Sequence, residues 1–394
     1  MPTTPEDVGL SSAGLARARA HVEGSVQRGE IAGAVVLASR HDQVAQLACT
    51  GLRDIEAGLP MEPDTIFRIA SMTKPVTSVG ALMLVESDKL HLDDPVSRYI
   101  PGFADLTVFA GVDDGRVRLA PLERPITIQH LLTHTSGMFG VAPDPILEPT
   151  YDNLGDFRYA LPELMRRLAE QPLVHQAGAG WRYGLSHDVL GRVIEVVAGQ
   201  PLDEYLASAI FVPLGMVDSG FYVPPDKVGR LAAVYGSVAG VPRWIDNDET
   251  HEIIERFPLL SGGGSCASTT LDFLRFARML QRRGELDGVR LLEPETVDLM
   301  TRNHVAAPLY PIQVYDHLFE GEGYGLGVGV IVEPEAAAMA GSAGTYEWAG
   351  SWNTHFMIDP VKELIGIFMA QYEPFDYEGL GHEYWSLVCQ ALID

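Results

Sequence analysis

The order of strand-like and helix-like segments is the feature that most constrains the fold of this chain. A helical segment near the N-terminus is followed by two β-type runs, 32–39 and 43–51, and further β-rich runs return between residues 324 and 371 before a final helix near 381–391. Between these ends the apolar residues recur at helical spacing, and the connecting loops are rich in Pro and Gly. The pattern predicts an α+β fold in which both termini build one antiparallel sheet flanked by helices, with a mainly helical domain inserted.

The domain organisation follows from this pattern. A length of 394 residues is sufficient for one large domain or two interleaved domains. We expect residues 1–75 and 211–394 to form the sheet domain and residues 76–210 to form the mainly helical domain. Because ligand sites are common at the interface between domains, the predicted active site lies in the cleft between the two.

The charge of the chain limits its partners. There are 28 Lys and Arg residues against 53 Asp and Glu residues, a formal net charge of -25. An acidic surface repels phosphate backbones and anionic lipids, so we expect no nucleic-acid partner and no membrane partner. The sequence has no secretory signal and no apolar run of about 20 residues that would span a bilayer, which predicts a cytoplasmic protein. The oligomeric state is left open.

The three cysteines give neither a disulfide framework nor a zinc motif, because Cys49, Cys266 and Cys389 are an odd number at wide spacing. Buried, reduced thiols are expected.

The segment FRIASMTKPVTS places Ser71 and Lys74 three residues apart at a predicted helix start. Residues three apart are neighbours on a helix surface. The Lys74 amine can therefore take the proton of the Ser71 hydroxyl if burial or a nearby positive charge lowers the amine pKa from about 10.4. Taken alone, the pair also fits an ordinary helix cap. Pro75 disfavours helical backbone at the residue before it, so the helix should begin at or just before Ser71.

Two later motifs offer groups that suit the same chemistry. RYGLSHDVLG places Tyr183 in a glycine-containing turn before a helix, where a phenol can face a cleft. YEWAGSW places an aromatic residue, Gly and Ser at the end of a strand, where backbone N–H groups can face a pocket. Each motif alone is also compatible with a structural role. A lipase-type GxSxG elbow is absent from the sequence, and AGSAG at 340–344 is the nearest approach to one.

Several other ring side chains have subordinate expected roles. His187 is expected at the rim of the pocket, whereas His134 and His355 are expected to be structural. The aromatic residues that could shape the acyl or alcohol pocket, or else belong to the core, are Trp181, Tyr324 and Trp352.

In order and spacing, SMTK, the Tyr183 motif and the Trp348 motif resemble the serine β-lactamase and penicillin-binding-protein family, whose signature is SxxK, a Tyr motif and a Lys-Thr-Gly-like strand. The phrases that are also similar to this family are DTIFRIASMTKP, LHLDDPV, ITIQHLLTHTSGM, PLGM and SGGGSCAST. The resemblance therefore extends from end to end and implies the β-lactamase/transpeptidase-like fold. Within the family the chain looks most like the family VIII carboxylesterases, which are similar to class C β-lactamases but hydrolyse simple esters.

Two departures from the lactamase pattern support that placement. Leu185 stands where a class C β-lactamase has the Asn of Tyr-x-Asn, so the amide that would hold the acylamide of a lactam is missing. Trp348 stands where the Lys of Lys-Thr-Gly would pair with the carboxylate of an antibiotic. An apolar, uncharged wall suits neutral esters better than anionic β-lactams.

The resemblance also implies roles for individual residues. Ser71 would be the acylated nucleophile, with Lys74 and Tyr183 sharing the general-base role and the Lys74 cation lowering the pKa of the Tyr183 phenol. The oxyanion hole would be the backbone N–H groups of Ser71 and Ser351. The implied substrate-binding residues are Trp348, Gly350 and Leu185. No metal and no organic cofactor is implied, and the partner is a small-molecule ester.

The predicted function is therefore that of a serine carboxylesterase acting on short-chain acyl esters. The same machinery would also serve a β-lactamase, a D-amino-acid peptidase or an acyltransferase, and a non-catalytic scaffold of the same fold is the alternative from a different class. The natural substrate stays open, because pocket depth is set by the loops at 139–155 and 309–323, whose course the sequence does not predict.

Overall fold

The computed structural model describes residues 4–140, 147, 159–238, 241–245, 252–314, 317–376 and 379–393. Within these ranges no helix combines the length and the apolar character needed to cross a bilayer. The α-helices are α1 (Ser12–Gln27), α2 (Thr73–Glu86), α3 (Ile128–Leu132), α4 (Leu161–Leu168), α5 (Ser186–Ala198), α6 (Leu202–Leu206), α7 (Thr270–Gln281), α8 (Pro294–Met300) and α9 (Leu380–Cys389). The short 3-10 helices are Pro5–Val8, Ala70–Met72, Val96–Arg98, Pro101–Phe103, Val228–Arg230, Glu252–Ile254 and Ala307–Leu309, and a π-helical turn, Ala207–Phe211, extends α6.

The strands are β1 (Gly33–Arg40), β2 (Gln43–Asp54), β3 (Leu59–Pro60), β4 (Ile66–Arg68), β5 (Thr107–Asp113), β6 (Arg116–Pro121), β7 (Tyr235–Val238), β8 (Val241–Trp244), β9 (Ala267–Thr269), β10 (Glu285–Leu286), β11 (Val289–Arg290), β12 (Ile312–Val314), β13 (His317–Phe319), β14 (Glu322–Tyr324), β15 (Gly329–Ile331), β16 (Tyr346–Gly350), β17 (Thr354–Asp359), β18 (Leu364–Met369) and β19 (Tyr372–Glu373).

One antiparallel sheet joins the two ends of the chain. Its strands run in the order β14, β15, β16, β17, β18, β1, β2 and β3, and neighbouring strands are antiparallel. The junction is the pairing of β1 with β18, from Val35 opposite Met369 to Arg40 opposite Leu364. The predicted α+β fold, with one sheet built from both termini, is confirmed.

Helices cover both faces of this sheet. Every residue of β1 is buried, and successive side chains of a strand point to opposite faces. Val36 belongs to the apolar cluster that contains Leu15 of α1 and Trp385 of α9. Val35 belongs to the larger cluster that contains Phe273 of α7. The helices α1 and α9 therefore lie on one face of the sheet, and α7 lies on the other.

The segment between the two parts of the sheet contains a β-hairpin that the sequence analysis did not anticipate. Strands β5 and β6 pair from Thr107 opposite Pro121 to Asp113 opposite Arg116. The signal was present in the alternating apolar residues on either side of Asp114 and Gly115, a typical hairpin turn. Helices α2 and α5 pack against each other in the same segment and carry two of the predicted site motifs.

Candidate active site

Ser71 lies in a tight turn between β4 and α2. The turn begins at Ala70, whose φ of 41° lies in the left-handed region that is unfavourable for a residue with a Cβ atom. The 3-10 turn Ala70–Met72 continues directly into α2 at Thr73. Helical structure therefore begins one residue before Ser71, in agreement with the constraint that Pro75 imposes.

The Lys74 side chain is buried against Ser71. Its Nζ atom lies 3.0 Å from Ser71 Oγ and donates a hydrogen bond of 2.8 Å to the carbonyl oxygen of Gly263. Only 4% of Lys74 is exposed. Burial lowers the pKa of the Lys74 amine to about 7, and the nearby Asp188 carboxylate partly opposes this shift. A large fraction of the amine is therefore neutral near pH 7 and can accept the Ser71 proton.

Tyr183, in the turn before α5, lies beside Ser71 and Lys74. Lys74 Nζ lies 4.5 Å from the centre of the Tyr183 ring. The Tyr183 phenol oxygen accepts a hydrogen bond of 3.1 Å from the indole N–H of Trp348 and is also hydrogen-bonded to Ser71. Burial nevertheless raises the pKa of the Tyr183 phenol. The expectation that the Lys74 cation lowers this pKa is wrong, because desolvation of a fully buried phenol outweighs the hydrogen bonds that favour the phenolate.

Asp188, in the first turn of α5, is a site residue that the sequence analysis missed. Its carboxylate accepts hydrogen bonds from the Ser261 hydroxyl and from the backbone N–H of Gly263. Burial raises the pKa of Asp188, while Lys74 and these donors oppose the shift. Gly263, in the glycine-rich loop of residues 261–265, accepts the hydrogen bond of Lys74 through its carbonyl and donates its N–H to Asp188. Asp188 is therefore connected to the amine through this loop as well as through its charge. An acidic residue in the first turn of a helix is common, so the sequence alone gave no reason to single it out.

Two cavities meet at Ser71. The large cavity has a volume of about 540 Å3, and the small cavity has a volume of about 30 Å3. Both are lined by Ser71, Tyr183 and Ser351. Apolar side chains that line the large cavity include Phe139, Leu185, Phe221, Leu259, Leu260 and Trp352. The small cavity is otherwise lined by Val314, Phe319, Trp348, Ala349 and Phe375.

The structure separates the predicted substrate-binding residues. Leu185 lines the large cavity and Trp348 lines the small one, whereas Gly350 is among the lining residues of neither. A Cβ atom on Gly350 would lie 2.3 Å from the carbonyl oxygen of Ile69. The glycine therefore lets the end of β16 approach the backbone that leads into Ser71. This approach places Ser351, the second predicted oxyanion-hole residue, on the wall of both cavities.

The histidines lie deeper than the predicted pocket rim. His187 is fully buried, and its Nε2 atom is 3.0 Å from Ser78 Oγ, so the expectation that it is a rim residue is wrong. The physical reason is that α5 turns this side chain towards α2 rather than towards the cleft. The His134 ring packs 4.8 Å from the ring of Tyr183, behind the site, and His355 is fully buried in β17.

The other aromatic candidates divide between pocket and core. Trp352 lines the large cavity. Tyr324 is fully buried and packs edge-on against Trp348 with ring centres 5.0 Å apart, while Trp181 packs 5.6 Å from Tyr324. Both therefore pack against the aromatic residues of the site without lining either cavity. Of the pocket-depth loops predicted at 139–155 and 309–323, residues 141–146, 148–155 and 315–316 lie outside the described residues.

The cysteines and metal-binding side chains add no further centre in the described ranges. All three cysteines are free, with Cys266 buried, but Cys49 and Cys389 are only half-buried, which corrects the expectation that all are buried. Among the described residues there is no group of three or more His, Cys, Asp and Glu side chains arranged to hold a metal ion.

The chain is similar to known proteins along nearly its whole length. Residues 18–388 match the family model described as Beta-lactamase. The chain is 33% identical over 401 residues to esterase EstB of Burkholderia gladioli, covering 95% of this chain and 94% of EstB. It is 32% identical over 368 residues to the lovastatin esterase of Penicillium rubens, covering 89% of this chain and 91% of that enzyme. The structure of EstCE1, described as a hydrolase with promiscuous acyltransferase activity, superposes with a TM-score of 0.82 at 28% identity and covers 97% of this chain and 99% of that one.

Proposed function

Because the chain belongs to the Beta-lactamase family, we propose that it is a serine carboxylesterase that hydrolyses short-chain acyl esters through an acyl-enzyme on Ser71. The observation that carries the proposal is the 3.0 Å contact between Ser71 Oγ and a buried Lys74 amine whose pKa is lowered to about 7. A serine hydroxyl becomes an effective nucleophile when such a base lies within hydrogen-bond reach. The similarity to EstB and to lovastatin esterase supports ester hydrolysis, and within the family we place the chain with the family VIII carboxylesterases.

In the first step, Ser71 Oγ attacks the carbonyl carbon of the ester while Lys74 Nζ accepts the hydroxyl proton. The carbonyl oxygen becomes an oxyanion, for which we propose the backbone N–H groups of Ser71 and Ser351 as donors. The bond between the carbonyl carbon and the alcohol oxygen then breaks. The alkoxide takes a proton that originates on Lys74, and the acyl group remains on Ser71.

Tyr183 is proposed as the relay for that proton. Its phenol is neutral at neutral pH, because burial raises its pKa, and it lies between the Lys74 amine and the hydrogen-bonding indole of Trp348. A neutral phenol can donate its proton to the leaving oxygen while receiving one from the ammonium group. In the second step a water molecule attacks the acyl-enzyme while the Lys74 and Tyr183 pair accepts one of its protons. The bond between the acyl carbon and Ser71 Oγ then breaks, Ser71 Oγ takes that proton back from the pair, and the acid is released.

The cavity walls favour neutral substrates. Leu185 and Trp348 replace the amide and the ammonium group that the lactamase pattern would present to an antibiotic. Arg68 and Arg256 also line the large cavity. The guanidinium of Arg256 is 2.8 Å from the carboxylate of Asp203, which already balances its charge, and the buried guanidinium of Arg68 donates a hydrogen bond of 2.9 Å to the carbonyl oxygen of Ala232. A neutral ester therefore fits this site better than an anionic β-lactam.

We propose that the site lies in a cleft between the mainly helical domain, residues 76–210, and the sheet domain formed by residues 1–75 and 211–394. Residues from each part line the large cavity: Leu185 belongs to the first, whereas Ser71 and Leu260 belong to the second.

The proposal is tested by replacing the nucleophile. Wild-type protein should hydrolyse p-nitrophenyl acetate and butyrate, and Ser71→Ala should lose this activity. Incubation with a fluorophosphonate followed by intact-mass and peptide mass spectrometry should show one adduct, located on Ser71. Undiminished hydrolysis by Ser71→Ala would sink the proposal. Absence of an adduct, or an adduct elsewhere, would support the non-catalytic scaffold.

Acyl transfer is a second candidate function, because the same acyl-enzyme can be attacked by an alcohol instead of water and because EstCE1 is described as having acyltransferase activity. Product analysis in the presence of an added alcohol separates transfer from hydrolysis. Turnover of a cephalosporin at a rate comparable with ester turnover would instead favour the lactamase or peptidase alternative.

A further inference from the structure

We infer that the two cavities divide the ester between them, so that the small cavity holds the acyl chain and the large cavity holds the alcohol. The preferred substrates would then be esters of short acids with bulky, apolar, uncharged alcohols. This inference rests on the proposed ester chemistry at Ser71 and adds to it the side of the site on which each half of the substrate binds.

The junction of the cavities is the reaction centre. Ser71, Tyr183 and Ser351 line both cavities, so an ester carbonyl at the junction lies within reach of the nucleophile and of the proposed oxyanion donor. The two substituents of that carbonyl must then extend in different directions, one into each cavity. The cavities differ in volume by more than tenfold, at about 540 and about 30 Å3, so a group that fills the large cavity cannot enter the small one.

The position of Lys74 sets the orientation. Lys74 lines the large cavity but is not among the residues that line the small one. Tyr183, the proposed relay for the proton of the leaving alkoxide, lines both cavities, but the Lys74 amine that supplies this proton lines only the large one, so we place the alcohol oxygen and the attacking water on the Lys74 side of the carbonyl carbon. The alcohol therefore leaves into the large cavity, and the acyl chain occupies the small one.

The small cavity limits the acyl chain. Its wall is built from the buried side chains of Val314, Phe319 and Trp348, together with Phe375. About 10–15 Å3 of such space holds one water molecule, so 30 Å3 accommodates about two to three carbon atoms beyond the carbonyl. Val314 belongs to β12 and Phe319 belongs to β13, and these two short strands pair with each other. These two residues are therefore the proposed determinants of acyl-chain length.

The large cavity suits a bulky apolar alcohol. Its volume of about 540 Å3 is in the range that encloses a drug-sized ligand. Phe221, Leu259 and Leu260 contribute apolar surface to it. Departure of the alcohol would leave this cavity open above the acyl-enzyme, and either water or a second apolar alcohol could attack from the same side.

Two substrate series test the division. The acyl series is p-nitrophenyl acetate, butyrate, hexanoate and octanoate, and the alcohol series is ethyl, phenyl and 2-naphthyl acetate. For wild-type protein we expect kcat/KM to fall about tenfold or more between butyrate and octanoate. Within the acetates, kcat/KM should rise from the phenyl to the 2-naphthyl ester, whose aryl alcohols are comparable leaving groups.

One variant in each cavity separates the two contributions. Phe319→Ala should raise the octanoate-to-acetate ratio of kcat/KM about tenfold or more, while the 2-naphthyl-to-phenyl ratio is unchanged. Leu260→Ala is the matched control in the large cavity and should lower the 2-naphthyl-to-phenyl ratio while the acyl ratio is unchanged. Since Phe319 is buried, Phe319→Leu provides a milder enlargement if the alanine variant does not fold.

The outcomes separate this inference from the proposed function. Ester hydrolysis that is absent from wild-type protein would overturn both. Hydrolysis that depends on Ser71, with an acyl preference that neither Phe319 variant changes, would overturn only the division of the substrate. A Phe319 variant that changes the alcohol ratio instead of the acyl ratio would show that the orientation is reversed.

Discussion

The indole N–H of Trp348 donates a 3.1 Å hydrogen bond to the phenol oxygen of Tyr183. Trp348 is therefore more than an uncharged replacement for the lysine of the lactamase pattern, because it holds the phenol and favours its ionised form. The relation joins β16 to the turn before α5, two segments far apart in the sequence.

Removal of that indole donor should reduce activity through Tyr183. Trp348→Phe keeps an aromatic wall but loses the hydrogen bond, so kcat/KM for p-nitrophenyl acetate should fall about three- to tenfold, the equivalent of a hydrogen bond of about 1 kcal/mol. The control is the same change in a Tyr183→Phe background, where the two effects should not add. Fully additive losses would show that Trp348 acts independently of the phenol.

The pH profile should report the Lys74 amine. The base must be neutral to accept the Ser71 proton, and the pKa of Lys74 is lowered to about 7. The acidic limb of kcat/KM, which reports the free enzyme, should therefore lie near pH 7, with activity lost as the pH falls below it. Lys74→Arg, which stays cationic, should lose about 100- to 10,000-fold in kcat/KM across the same range. An acidic limb near pH 5 or above pH 9 would contradict the assignment.

Asp188→Asn should shift the acidic limb of the pH dependence of kcat/KM. The Asp188 carboxylate raises the pKa of Lys74 against the effect of burial, so its neutralisation should shift the acidic limb of kcat/KM to lower pH. An asparagine oxygen can still accept the Ser261 hydrogen bond that holds the glycine-rich loop. Ser261→Ala, which retains the carboxylate, is the control and should leave the limb near pH 7. A profile that Asp188→Asn does not shift would mean that the carboxylate is only structural.

Lys74→Met should stabilise the fold while abolishing catalysis. The folded pKa of Lys74, about 7, lies below the ordinary value of 10.5, so the unfolded chain binds the extra proton between these pH values and the stability of the native protein rises with pH through that window. The cost of the buried amine is greatest below about pH 7 and disappears above about pH 10.5. The variant should therefore gain roughly 3–5 kcal/mol over wild-type protein at pH 7, and less at pH 10. Paired urea titrations at the two pH values measure the difference, and an equal gain at both would contradict the linkage.

Gly350→Ala should disturb both stability and the Ser71 turn. A Cβ atom at this position would lie 2.3 Å from the Ile69 carbonyl oxygen and from Thr354 Oγ1. The carbonyl belongs to the backbone that leads into Ser71, and the Thr354 hydroxyl donates a hydrogen bond to it, so relief of the clash disturbs the Ser71 turn. We expect a destabilisation of about 1–3 kcal/mol together with a lower kcat. Gly229→Ala is a matched control, because a Cβ atom there meets nothing within 4 Å. A thermal unfolding midpoint equal to that of wild-type protein would refute the prediction.

The residues alone were sufficient to predict the sheet-forming segments at the two ends of the chain and the order of the motifs. Periods of two and of 3.6 residues arise locally, which is why the predicted runs 32–39 and 43–51 and the predicted final helix 381–391 lie close to the observed β1, β2 and α9. The β-rich character of residues 324–371 was predicted, but the run that begins at 324 is divided between β14 and β15. The departures at Leu185 and Trp348 were likewise visible as residue types at motif positions. The hairpin was missed because β5 is only partly buried and β6 is largely exposed, so that apolar residues do not mark one buried face.

Only the tertiary structure decided the protonation states and the shape of the site. The pKa of Lys74 depends on burial and on Asp188, and that of Tyr183 depends on burial and on Trp348, and in each case the partner comes from a distant segment. Phe319 lines the small cavity and Leu260 lines the large one, and both cavities are also lined by Ser71. Desolvation and cavity volume are sums over everything that surrounds a group, and local periodicity carries no information about them.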